Sequence, residues 1–290
     1  MRIAVGIATA GRPQLLALAL AELACQRRRP DLVVVCAPTA DDIGPLPDGI
    51  TPATVIGPRG LTCQRNAILD HAREFDVVVF FDDDFLPEEG YLAAVERVFV
   101  EHPDIALVTG RVVADGIIGP GLSLPEARWA LSLAAPIGPL PDELLPVDSG
   151  YGCNIAVRMA AVAQFGCRFD ERLPLYGWLE DVDFSRRLAA CGRLVQAKAA
   201  CGVHLGIKRG RQSGRRLGYS QIANPIYLSR KGTCPWRRSL RLMMRNIAAN
   251  LLRSLKPEPY VDRMGRVAGN LQAVKDLLTG RLAPERILEL

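Results

Sequence analysis

Five consecutive apolar residues, Val77 to Phe81, stand between Asp76 and the carboxylate triplet Asp82-Asp83-Asp84. Strand side chains alternate between two faces, so an unbroken β-branched and aromatic run is apolar on both. That suits a strand buried within a parallel sheet, with helices covering each side. The acids then fall where the strand ends, and open α/β sheets bind ligands outside the carboxyl ends of their strands. Three adjacent carboxylates repel one another. A hard cation relieves this, and Mg²⁺ typically binds through one or two carboxylates plus phosphate oxygens. Taken alone, the triplet reads equally well as a solvated acidic turn before the helix that Pro87-Glu88-Glu89 opens.

The flanking segments repeat the pattern. Arg2–Ala8, Leu32–Cys36, Pro52–Ile56 and Ile105–Val113 read as strands. Gln14–Cys25, Leu61–Arg73 and Glu88–Val100 read as helices, with Pro13 suited to a first turn. This alternation predicts an α/β fold with a Rossmann-like, mostly parallel central sheet flanked by helices. Gly116–Pro146 is rich in Pro and Gly and reads as a long irregular loop, a kind usually functional or mobile. Further on, Glu180–Cys191 is helical, Leu194–Ala199 a strand, Ile207–Gly218 a basic loop, and Arg237–Leu255 and Arg266–Thr279 are helices.

Charge narrows the partners. The net charge is +5, yet residues 184–257 hold seventeen Lys and Arg and no Asp or Glu. Such a block implies phosphate groups, an anionic membrane surface or nucleic acid as partner. The 237–255 helix places Leu240, Met243, Met244, Ile247, Leu251 and Leu255 on one face, with Arg238, Arg245 and Lys256 opposite. It either rests on an anionic bilayer or packs that face on protein. No apolar run reaches the ~18–20 residues of a membrane span. Met1-Arg2 leads straight into a strand rather than a signal segment. Eight cysteines without a CxxC pair predict reduced thiols and no zinc site. The expectation is a cytoplasmic chain, peripheral on the inner face of the cell membrane where that helix meets a bilayer rather than protein.

Four segments follow one another in order. They are Thr9-Ala10-Gly11-Arg12-Pro13 after the first strand, Gly60-Leu61-Thr62-Cys63-Gln64-Arg65-Asn66 opening a helix, Phe80-Phe81-Asp82-Asp83-Asp84, and Gly152-Cys153-Asn154-Ile155-Ala156-Val157-Arg158 followed by Gly177-Trp178-Leu179-Glu180-Asp181-Val182-Asp183. A lone His204 comes after the next strand. Taken together, these segments resemble the family 2 glycosyltransferases, which have the GT-A fold. The resemblance covers residues 1–231 as a catalytic domain and leaves 232–290 as a basic, amphipathic helical extension.

The resemblance implies a metal-dependent, inverting transfer of a sugar from a nucleotide-diphosphate donor to a cell-envelope or exopolysaccharide precursor, polyprenyl-linked in one version. It implies that Asp84 ligates Mn²⁺ or Mg²⁺, that Asp82 contacts the ribose, and that Asp83 orients either. His204 would be a further ligand, Asp181 the general base, and Glu180 the next candidate for that role. Carboxylates favour such hard ions, neutral imidazole can join them around Mn²⁺, and the ion would neutralise the leaving diphosphate. A positioned carboxylate base is worth roughly 10²–10⁴-fold in rate. Thr9, Arg12, Arg65, Asn66 and Asn154 are candidate nucleotide-sugar contacts, Arg65 and Asn66 at a helix start that favours diphosphate. Lys208 and Arg211 would close over the diphosphate, and Trp178 would stack on the acceptor sugar. Plain alternatives stand beside these: a structural His204, a core Trp178, a surface Arg65, and helix-start acids with Asp183 and Arg187 paired at i,i+4. Many members end the second strand with an acid that contacts the base. Here the strand runs into Cys36-Ala37-Pro38 and the next acids are Asp41 and Asp42, so the choice among UDP, GDP and dTDP stays open.

Two rival readings remain. A sugar-phosphate nucleotidyltransferase would want a glycine-rich loop after the first strand, where this chain has one glycine. A non-catalytic lipid- or nucleic-acid-binding protein leaves the triplet and the Glu180-Asp181 pair without a task. It also lacks aromatics interleaved with basic residues on strands, so no nucleic acid partner is expected.

Overall fold

The computed structural model describes residues 1–134, 143–208, 213–256 and 258–290. Its elements, in chain order, are β1 (Ile3–Ala8), α1 (Pro13–Ala24), β2 (Leu32–Ala37), β3 (Ala53–Ile56), α2 (Leu61–His71), β4 (Val77–Asp82), β5 (Phe85–Pro87), α3 (Tyr91–Glu101), β6 (Ile105–Asp115), α4 (Leu124–Ala134), β7 (Leu144–Pro146), β8 (Asn154–Arg158), α5 (Met159–Gln164), α6 (Glu180–Leu188), β9 (Arg193–His204), α7 (Gly214–Lys231), α8 (Trp236–Ser254) and α9 (Arg263–Leu278). The strands form one sheet in the order β3-β2-β1-β4-β8-β6-β9-β5, with β7 also on β9. β1 to β4, β6 and β9 run in one direction; β5, β7 and β8 run against them.

The apolar run occupies the middle of this sheet, as its composition requires. Val77, Val79 and Phe81 point into a core shared with Leu16 and Leu20 of α1 and Leu92 and Val95 of α3. Val78 and Phe80 point the other way, onto Ile68 and Leu69 of α2, Met159 of α5 and Phe184 of α6. The period of two therefore divides a single strand between two helix layers.

Four stretches differ from expectation. Within Gly116–Pro146, Leu124–Ala134 is a helix, started by Ser123, whose N–H and hydroxyl both donate to Glu126 at 2.7 and 2.6 Å; residues 135–142 lie outside the described set. β9 continues past Ala199 to His204, because a bulge between Ala197 and Cys201 lets the ladder with β6 resume. β6 likewise runs on to Asp115. The chain also pairs again directly after the triplet, as the short β5 on β9.

α7, α8 and α9 pack together around Tyr219, Ile222, Ile226 and Ala273, and Asn224 of α7 donates to the Trp178 carbonyl at 2.8 Å. The apolar face of α8 divides. Met243 and Ile247 pack against this cluster, whereas Leu240, Met244, Leu251 and Leu255 stay 57, 59, 51 and 85% exposed. No helix among the described residues is long and apolar enough to cross a membrane.

Candidate functional site

Strand direction and register assemble the site. The C-terminal ends of β1, β4, β6 and β9 share one edge of the sheet, where β8 begins. Ala8 lies opposite Asp82, Phe81 opposite Asn154, and Asp115 opposite His204. β5 then sets Phe85 opposite His204, so Asp84 falls beside the imidazole.

Asp82, Asp84 and His204 present donor atoms within 4.8 Å of one another on the wall of a cavity of about 390 Å³. Two carboxylates and an imidazole suit a hard divalent cation. His204 Nε2 faces Asp84 Oδ1 at 3.5 Å, while its Nδ1 is 2.9 Å from Asp115 Oδ1. The Tyr151 hydroxyl donates to the other Asp115 oxygen at 2.8 Å. A carboxylate behind a ligand His is the arrangement that orients such rings toward metal. Burial would lower the His204 pKa, but Asp115 and Asp84 overcome it and raise it to about 10. Burial likewise works against ionised Asp84, yet His204, Arg12 and the Ile207 N–H hold it at about 2. The cluster thus draws positive charge to the place a cation would take.

Asp83 turns inward. It accepts from the Thr9 hydroxyl at 2.6 Å and pairs with Arg12 at 2.5 Å. Burial, opposed by Arg12, raises its pKa to about 7. Arg12 also stands 3.5 Å from Asp84. The Thr9–Pro13 turn that brings it there has Gly11 at φ 70°, a conformation glycine adopts without steric cost.

Thr9, Arg12, Asp82, Asp84 and His204 all line the cavity. Arg65 does not. It is fully buried, donating to Glu180 at 2.7 Å, Asp82 at 3.0 Å and the Gly152 carbonyl at 2.6 Å, so the reading of it as a surface residue is corrected. Asn66 is also turned away: its amide donates to the Phe169 carbonyl and Glu171 and accepts from the Phe169 N–H. Asn154 is buried, accepting from the Thr109 hydroxyl at 2.7 Å. Lys208 donates to the Gly116 and Ile117 carbonyls and lines a second cavity with Trp178 rather than the first. Arg211 lies outside the described residues.

Glu180 and Asp181 open α6. Leu179 just before them has φ 74° and Leu175 φ 59°, a left-handed backbone that costs non-glycine residues energy and clusters at functional sites. Asp181 accepts from the Gly152 N–H at 3.0 Å and the Val182 N–H at 2.8 Å. A Cβ on Gly152 would stand 3.1 Å from Glu180 and 3.3 Å from Asp181, which explains a glycine there. Burial raises both carboxyls, Glu180 to about 8 against the pull of Arg65. Neither lines either cavity. Asp183 is paired with Arg187 at 2.9 Å and with Lys231 at 2.8 Å, as its i,i+4 spacing suggests.

Other residues at the site escaped sequence reading. Gln64 lines the cavity and donates to the Thr9 and Cys36 carbonyls, tying the ends of β1 and β2. Tyr176, Ser213 and Arg216 join the wall from distant segments. Asp115 had a legible signal, an acid at a strand end, hidden by placing that end at Val113. Asp42, one of the two acids read after the second strand, accepts from the Gly11 N–H at 2.5 Å and so holds the turn after the first strand.

No protein-family model and no curated protein matches this sequence. Solved structures do. Residues 1–349 of S. aureus TarS in complex with UDP-GlcNAc align at 16% identity and a TM-score of 0.54, over 99% of this chain and 83% of that one. The mannosyltransferase PcManGT from Pyrobaculum calidifontis, in complex with GDP-Man and Mn²⁺, aligns at 17% identity and 0.51, over 99% and 85%. A longer S. aureus TarS chain aligns at 16% and 0.50 over 79% of this chain, which spans 40% of it. The chain therefore has the α/β fold of these nucleotide-sugar-binding proteins, with a central sheet and flanking helices as its sequence predicts.

Proposed function

We propose that this chain is a metal-dependent family 2 glycosyltransferase that moves a sugar from a nucleotide diphosphate to a glycan acceptor of the cell envelope, with inversion. The observation that carries this reading is the Asp82–Asp84–His204 cluster on the wall of a cavity at the strand-end edge. The likeness in fold to proteins that hold UDP-GlcNAc and GDP-Man supports it. Asp82, Asp84 and His204 would hold Mn²⁺ or Mg²⁺, which when bound neutralises charge on the departing diphosphate. Arg12 and Arg216 add positive charge to the same wall, and Gln64 and Thr9 fix the ends of the strands that carry it. Asp181 lies three residues after Trp178 of the second cavity and outside both linings. It takes the proton of an acceptor hydroxyl that reaches past those walls to it, as that oxygen bonds to the anomeric carbon and the diphosphate leaves. Burial raises its pKa, the direction that makes a carboxylate a stronger base. A thermal-shift screen of UDP, GDP, dTDP and their sugars, with and without Mn²⁺, tests this. Stabilisation by one nucleotide only when metal is present is expected, and its absence for all three would overturn the reading. Asp84→Ala should remove the metal-dependent part.

The same proposal places the chain on an anionic bilayer through α8. Along α8 and just past its end, exposed Leu240, Met244 and Leu255 are each followed by an exposed cation, Arg241, Arg245 and Lys256, an alternation of apolar and cationic side chains that suits an interfacial helix.

A further inference from the structure

A second cavity of about 740 Å³ adjoins the first, and Tyr176 and Ser213 belong to both walls. Tyr176 sits in a strained segment. Leu175, Gly177 and Leu179 have φ of 59, 62 and 74°, so alternate residues are left-handed. Leucine rarely adopts that conformation, and it persists only where the surroundings over-determine it. Here they do. Leu175 packs on the cluster of Tyr219, Ile222 and Ala273, and Leu179 on Leu173, Leu228 and Cys234. Leu175 also reaches the first cavity, whereas Leu179 reaches neither. The backbone is pinned as well. The Leu175 carbonyl accepts from the Leu61 N–H at 2.8 Å, the Gly177 carbonyl from the Glu180 N–H at 2.8 Å, and the Trp178 carbonyl from Asn224 at 2.8 Å. A Cβ on Gly177 would stand 3.2 Å from the Leu173 carbonyl oxygen. Tyr176 itself is 42% exposed. Two packed leucines thus hold one open ring where the cavities meet.

We propose that Tyr176 contacts the sugar being transferred, and that Leu175 and Leu179 are positioning residues that hold its ring there. The inference rests on the reading that the first cavity takes the nucleotide diphosphate at Asp82, Asp84 and His204. The sugar then lies beyond the diphosphate with one side open to an acceptor, and the wall shared with an adjoining cavity is such a side. An aromatic ring covers the apolar C–H face of a pyranose, and the phenol hydroxyl can bond a sugar hydroxyl. A ring held in place before binding loses less freedom when the sugar arrives. Burial of the two leucine side chains offsets the cost of the left-handed backbone that presents it.

The test is calorimetric titration of the whole chain, in Mn²⁺, with UDP, GDP and dTDP and with UDP-glucose, UDP-GlcNAc, GDP-mannose and dTDP-glucose. The nucleotide sugar that binds most tightly is compared with its bare nucleotide, and the ratio of the two affinities reads the contribution of the sugar. Tyr176→Ala should cut that ratio by about three- to tenfold. Leu179→Ala, which withdraws an anchor outside both cavities, should move the ratio in the same direction. Leu179→Met, which keeps a long apolar side chain, should restore it. A purely structural role would lower stability and both affinities together and leave the ratio unmoved. An unchanged ratio in Tyr176→Ala would overturn the inference. A ratio that Tyr176→Ala lowers and Leu179→Ala does not would overturn the positioning role. Should Leu179→Ala fail to fold, Tyr176→Ala still decides the contact, since its ring is open. If no nucleotide binds the wild type, the donor reading falls and this inference with it. If one binds and the ratio holds, only this inference falls.

Discussion

Asp115 Oδ1 lies 2.9 Å from His204 Nδ1, although the two residues are 89 positions apart. They meet because β6 and β9 run parallel and end in register on one edge of the sheet. Asp115 thereby aims the opposite ring nitrogen at Asp84. Asp115→Asn should weaken Mn²⁺ binding by roughly 10–100-fold, read by isothermal titration or by the EPR signal of free Mn²⁺. Unchanged metal affinity would show that the carboxylate does not position the ring.

Arg65 joins three segments with one guanidinium. Replacing it with Met leaves Glu180 and Asp82 without their buried partner, and loss of one member of a buried pair costs about 3–5 kcal/mol. Urea unfolding should show a loss of that size. A midpoint within error of wild type would mean that Asp82 and Glu180 hold their places without it.

Asp181→Asn should leave metal-dependent nucleotide binding near wild type while transfer falls by about 10²–10⁴-fold. Surviving transfer would move the base elsewhere, with Glu180→Gln the next substitution to assay.

Acid should weaken the link between α2 and the segment before α6. Asp70 is held at about 2 by Arg168, with Arg73 adding to it. A depressed carboxyl contributes stability above its unfolded value of 3.8 and loses it as pH falls toward 2. The pair is partly exposed, so its contribution is less than about 1 kcal/mol. The stability gap between wild type and Asp70→Asn should therefore be present at pH 6 and closed near pH 2. A constant gap would assign the effect to packing.

Substituting Leu240, Met244 and Leu251 with Ser should reduce co-sedimentation with vesicles rich in anionic lipid, and high salt should reduce it further, since each surface Lys or Arg adds ~1 kcal/mol. Binding that survives the triple substitution would remove α8 from the account. Point substitutions suit this better than a cut after Lys231, which would bare Tyr219, Ile222 and Ile226 of α7.

Most elements were legible because their signals are local. The Val77–Phe81 run, the helical spacing of α1 and the acids opening α6 each declare themselves within a few residues. α4 was legible in principle, since Ser123-Leu124-Pro125-Glu126 is a capping-box sequence, but its Pro- and Gly-rich surroundings concealed it. α8 shows the limit of periodicity. Its spacing places Met243 and Met244 on one apolar face, and only the packing of α7 and α9 decides that Met243 is covered and Met244 is not.

By itself the sequence determined the α/β alternation and put acids where strands end, because apolar runs and polar breaks are written residue by residue. Tertiary structure alone decided which polar groups meet. Asp115 behind His204, Arg65 beneath Asp82 and Glu180, Asn66 turned toward Phe169, and Lys208 in the second cavity all depend on sheet order and strand register. Those are set by the packing of distant segments, to which no local pattern refers.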